Sequence, residues 1–158
     1  MKSGYDLLIA KSTYSKEAFS DFEKIVGVLP TDYQTLILNY RTGYPSIDNP
    51  EESEVFASSK FQTGKFSIEH FYTPFESLNN LLRFDRIFGL RANHRKFKLL
   101  PICTSGSSYR VYYLKIDSGE IFYLDPNQDF DIDLKIDEYK LADNLKEFVL
   151  TFISEKVG

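Results

Sequence analysis

The stretch Lys98–Asn127, "KLLPICTSGSSYRVYYLKIDSGEIFYLDPN", decides the fold. Lys98–Thr104 is a short apolar run, the small residues of "SGSS" follow as a turn, and Tyr109–Ile116 is rich in the aromatic and β-branched residues that suit a pleated surface. "DSGE" then offers Gly119 for the positive φ of a tight hairpin, and Ile121–Asp125 completes a three-stranded antiparallel meander. Alternation sends Val111 and Tyr113 to one face and Tyr112, Leu114 and Ile116 to the other. If helices pack on one side only, some of these rings stay open, and Tyr112 and Tyr123 are candidate anchors for a partner.

Helices are expected on both flanks of the meander. In "SKEAFSDFEKIVG", Phe19, Phe22, Ile25 and Val26 recur at helical spacing between a capping Ser15 and a terminating Gly27. A second helix starts after Pro30, carries Tyr33, Leu36, Ile37 and Tyr40 on one face, and ends by Gly43. Tyr44–Ser53, with two prolines and three acids, reads as loop. Two strand-like runs follow, near Glu54–Ala57 and Lys65–Tyr72. Leu78, Leu81, Leu82, Asp85 and Phe88 then mark a third helix ending at Gly89. Leu141, Leu145, Phe148, Val149, Phe152 and Ile153 fit one long amphipathic helix at the end. Helices and strands in this order predict an α+β fold, a mostly antiparallel sheet flanked by helices, rather than alternating βαβ units.

The 158 residues suit one domain spanning 1–158. Aromatic residues make up 16% and charged ones 27%, a globular balance. A single cysteine, Cys103, allows no internal disulfide and suits a reducing compartment. The apolar run Leu7–Ala10 is too short for a signal-peptide core of roughly 7–15 residues, and no stretch approaches the roughly 20 residues of a membrane span. The expectation is a cytoplasmic protein with no membrane association. Its net charge of −4 argues against nucleic acid as the main ligand. That charge is unevenly placed: Arg83–Lys98 is basic, whereas Asp125–Glu138 is acidic.

No candidate catalytic residue emerges. Cys103 sits in an apolar strand with no neighbouring base or cation to activate it. One cysteine and the scattered His70 and His94 do not supply the ligands of a zinc site. Asp125, Asn127, Asp129 and Asp131 resemble the start of a calcium loop, but Phe130 stands where the glycine and Ile136 where the glutamate should be. No metal and no cofactor is expected. The basic segment interleaves Phe84, Phe88 and Phe97 with arginines, a pattern that can bind single strands; helical spacing instead assigns these rings to the core. The acidic loop is the better functional candidate, because carboxylates that mimic a phosphate backbone complement a nuclease site.

Several of these pieces resemble one family. "FEKIVGVLPTDYQTLILNY", "KLLPI", "SGSSYRVYYLKI", "GEIFYLD" and "LADNLKEFVLTFI", in this order from about Phe22 to Ile153, are similar to the SUKH superfamily of Smi/Knr-like proteins. The chain keeps only Gly43 of the Asn-Gly-Gly often found after the second helix, and has Leu124 where many members place a tryptophan. The resemblance implies a SUKH fold and no enzymatic activity. It implies a cytosolic immunity protein whose partner is a toxin's C-terminal domain, often a nuclease; the alternative is a regulatory scaffold like the fungal relatives. Partner-binding residues are then expected at Asp125, Asp129, Asp131, Asp133, Tyr112 and Tyr123.

Overall fold

Two antiparallel sheets share the chain in the computed structural model, which describes residues 2–45 and 51–156. The first helices are α1 (Lys16–Val26) and α2 (Thr31–Asn39). Strands β1 (Ser53–Ala57), β2 (Phe66–Ile68) and β3 (His70–Phe71) precede helices α3 (Pro74–Phe88) and α4 (Arg91–Phe97). The meander is β4 (Leu99–Thr104), β5 (Val111–Lys115) and β6 (Ile121–Leu124). Strand β7 (Lys140–Ala142), helix α5 (Leu145–Leu150) and strand β8 (Ile153–Lys156) close the chain. The larger sheet has the order β3-β4-β5-β6-β7 and the smaller β2-β1-β8. The α+β architecture expected from the sequence is the one observed.

Strand β5 lies at the centre, with Tyr112 opposite Tyr123 and Tyr113 opposite Phe122 across the β5–β6 pair. A bulge interrupts β4 between Pro101 and Cys103. Proline has no N–H to give to a ladder, so an interior strand tolerates it at such an irregularity. One consequence is that Ile102 and Cys103, though consecutive, belong to the same buried cluster.

The capping logic of the sequence is realised in local hydrogen bonds. Ser15 Oγ accepts from the Ala18 N–H at 3.1 Å, and Gly27 leaves α1 at φ 105°. Thr73 and Glu76 form a reciprocal capping box at the start of α3, and Gly89 ends that helix in the left-handed region.

Three expectations are corrected. The closing amphipathic run is not one helix: Asn144 accepts from Glu147 N–H at 2.8 Å and starts α5 there, while Leu141 lies in β7 and Ile153 in β8. The flanking segments satisfy their backbone by pairing with β6 and β1 instead of extending the helix. The run Lys65–Tyr72 divides at Glu69, giving β2 to the small sheet and β3 to the large one. Helix α4 was not expected, because the side chain it buries is His94, which adds nothing to an apolar periodicity. The loop expected at Tyr44–Ser53 lies in part, at 46–50, outside the described residues.

Both faces of the large sheet are covered. On one, Phe19, Phe22, Tyr33, Leu36, Ile37 and Phe148 from α1, α2 and α5 bury Leu100, Tyr112, Leu114 and Tyr123. On the other, Phe84 and Leu90 meet Leu99, Val111, Tyr113, Phe122 and Leu124, and Phe130, Leu134, Ile136 and Tyr139 add the remaining cover. Phe130, Leu134 and Ile136 belong to the segment that the sequence presents as an acidic loop, and Tyr139 follows it directly.

Candidate functional site

That loop runs from Asp125 to the short 3-10 turn Ile136–Tyr139 and folds on its own carboxylates. Asp129 accepts from the Asp125 N–H at 2.6 Å, and Asp125 accepts from the Asn127 N–H at 2.8 Å. Asp131 accepts from the Asp133 N–H at 2.9 Å. Aspartate favours such turns because its short carboxylate reaches a backbone donor two residues on. Beneath them, the Phe130 ring sits 5.7 Å from Tyr113 and 5.5 Å from His94, centroid to centroid, pinning the loop to the sheet.

The charge left facing solvent is considerable. Asp131, Asp133, Asp137 and Glu138 are exposed, and among the described residues no acid between Asp125 and Glu138 forms an ion pair. Burial first, and then Asp129 and Glu138, hold the Tyr139 hydroxyl above its ordinary pKa, as a negative environment should. Ile132, flanked by Asp131 and Asp133, is 94% exposed.

The two tyrosines expected to anchor a partner are core residues. Tyr112 is fully buried, stacks on Tyr123 at 4.5 Å, and donates its hydroxyl to the Ser67 carbonyl at 2.7 Å. Tyr123 is buried as well, with its hydroxyl 2.9 Å from Ser108 Oγ. Alternation along β5 was read correctly, but both rings lie on the face that the helices and β2 cover, which leaves neither open. On the loop itself, Asp125 and Asp129 are half-buried turn formers, whereas Asp131, which also holds a turn, and Asp133 are exposed to solvent. Sequence reading passed over Ile132; an isoleucine between two aspartates in a turn is the signal that could have marked it.

Reactive side chains elsewhere are quenched. Cys103 is fully buried, and burial pushes its thiol far up, which disfavours the thiolate. His94 is buried with Nδ1 2.8 Å from Asp85 Oδ1, while Nε2 has no hydrogen-bond partner among the described residues. Burial lowers its pKa against the raising pull of Asp85. His70 Nε2 lies 3.0 Å from Glu76, whose carboxyl stays below its usual pKa because the Thr73 backbone and His70 outweigh burial. No cluster of three or more potential metal ligands occurs among the described residues.

The basic segment forms the end of α3 and all of α4. Phe84 is buried there, as expected, but Phe88 is 37% exposed. Two residues assigned to core stripes are also open: Ile25 is 66% exposed and Leu82 is 57% exposed. They border a groove of about 590 Å³ between α1, α3 and α4.

The site is thus part of an α+β scaffold whose large sheet is covered on both faces and whose surface carries a loop of turn-fixed carboxylates. The chain belongs to the SMI1 / KNR4 family (SUKH-1), whose sequence model matches residues 13–151. This family is not known for enzymatic activity. No curated protein matches the chain. Among the described residues no helix is long and apolar enough to cross a membrane.

Proposed function

We propose that this chain acts, as a single SUKH-like domain, as a cytosolic immunity protein that binds a cognate toxin domain and occludes its active site. One observation carries the reading: the loop 125–138 presents carboxylates that form no ion pair among the described residues, on a backbone fixed by aspartate turns and by the partly buried Phe130. A pre-ordered acidic surface loses little entropy on docking, steers a basic partner toward encounter, and meets the charge a nuclease uses to hold phosphate. Membership of the SUKH-1 family supports a role in protein interaction, and the surface chemistry selects a basic partner.

The experiment is affinity capture from the native cells, followed by inhibition and stopped-flow binding assays with the purified toxin domain. Asp131→Lys with Asp133→Lys is expected to slow association by about tenfold or more at low ionic strength, with the effect shrinking as salt is added. An association rate indifferent to both substitutions and salt would remove the loop from the interface. Recovery of ordinary cytosolic partners, with no toxin inhibited, would replace immunity by the scaffold role.

A further inference from the structure

The groove beside α4 has the chemistry that the acidic loop lacks. Ile25, Val28 and Leu82 stand at its edge, 66%, 83% and 57% exposed, and Arg91, Arg95 and Lys98 line it with positive charge. Neither arginine enters an ion pair among the described residues; Lys98 has only a long contact of 3.9 Å to Asp117. Asp85, on the groove's inner side, is engaged by His94. A small ligand's pocket would sink its apolar groups and bury most of the ligand, whereas here the apolar side chains protrude, as they do where a macromolecule docks.

The segment that fits this groove is one bearing an apolar side chain between carboxylates. The chain carries such a segment itself: Asp131–Ile132–Asp133, whose isoleucine is 94% exposed and whose acids form no ion pair among the described residues. It does not reach the groove of its own molecule, since no ion pair joins the two among the described residues. Yet loop and groove flank the same helix, for His94 both lines the groove and packs against Phe130. Two self-complementary patches side by side are what a two-fold contact requires, each copy giving its loop to the other's groove. We propose that this face is an interface between two copies of the chain, with Ile132 of each entering the other's Ile25–Val28–Leu82 patch and Asp131 and Asp133 meeting Arg91 and Arg95.

The contact is small and polar-rimmed, so the dimer is weak, in the range of about 1–100 μM, and dissociates as salt rises. It uses the loop assigned to the toxin, so self-association and toxin binding compete. Its existence, however, does not depend on there being a toxin.

Sedimentation velocity across that concentration range at low salt is the test. Wild-type protein should show a reversible monomer–dimer equilibrium. Ile132→Asp, and separately Arg91→Glu with Arg95→Glu, should weaken it by about tenfold or more. The decisive sample mixes two variants, Asp131→Arg/Asp133→Arg and Arg91→Glu/Arg95→Glu. Each alone sets like charges against each other, but in the mixture every loop meets a groove of opposite sign, and a heterodimer should form. All substituted side chains are at the surface, and circular dichroism verifies that each variant is folded. Wild-type protein that stays monomeric throughout, or a mixture that fails to associate, would overturn the proposal.

Discussion

Removing one oxygen from Tyr112 is expected to destabilise the whole fold while leaving partner binding untouched. The ring is fully buried and its hydroxyl donates at 2.7 Å to the Ser67 carbonyl, tying the central strand of the large sheet to β2 of the small one. Tyr112→Phe keeps the ring, so the stacking on Tyr123 and the contact with Phe148 survive. What is lost is one buried hydrogen bond, and a carbonyl on a 3% exposed residue is left without that donor. Such a loss costs about 1–2 kcal/mol. For a chain of this length that is a fall in Tm of about 2–8 °C. Tyr123→Phe is the internal comparison: its hydroxyl lies 2.9 Å from Ser108 Oγ in a partly buried place, where water can replace part of the bond, so about 0.5–1 kcal/mol is expected. Urea unfolding followed by far-UV circular dichroism reads both through the midpoint at constant slope. If Tyr112→Phe were no less stable than wild type, or if it weakened partner binding without loss of stability, the assignment of this ring to the core would fail.

The remaining predictions concern pH, one cap and the loop anchor. His94 has its pKa lowered below the ordinary 6.5, so the unfolded chain takes up a proton before the folded one does. Its contribution is therefore fully present above that value and is lost as pH falls through 6.5 toward the folded pKa; the lowered carboxyls of Glu76, Asp117 and Glu120 act with the same sign at lower pH. Urea midpoints taken from neutral to mildly acidic pH should fall for wild type and fall less for His94→Gln; equal slopes would contradict this account. Asn144→Ala removes the cap that starts α5 and should cost about 1 kcal/mol by the same unfolding assay, with Asn144→Asp restoring most of it. Phe130→Ala should loosen the acidic loop, seen as faster amide exchange over residues 125–139, while the slowest-exchanging amides of β5 keep most of their protection. Unchanged exchange in the loop would mean that its aspartate turns hold it without the ring.

Much of the fold was legible because it rests on local rules. The strands around Tyr112 and Phe122, the Gly119 hairpin, the Ser15 cap and the Gly27 and Gly89 stops each follow from a few neighbouring residues whose backbone preferences are strong. The closing run misled for the same reason: apolar spacing alone accepts a helix from Leu141 to Ile153, whereas the open edges of β6 and β1 claim its two ends. Helix α4 was hidden because a histidine occupies its buried position.

By itself, then, the sequence determined the central meander, the first three helices, the α+β class, the family and the separation of basic from acidic segments. Only the tertiary structure decided which aromatic rings are open. Alternation tells which residues share a face of β5, but what lies over that face comes from other parts of the chain: α1, α2 and α5 on one side, and on the other α3 together with the same aspartate-rich segment that also carries the exposed charge. Exposure is a property of packing rather than of residue type. That is why Tyr112 and Tyr123 went inside, why Ile25, Leu82 and Ile132 stayed out, and why the candidate surface reduced to the outward carboxylates of one loop and a cationic groove beside it.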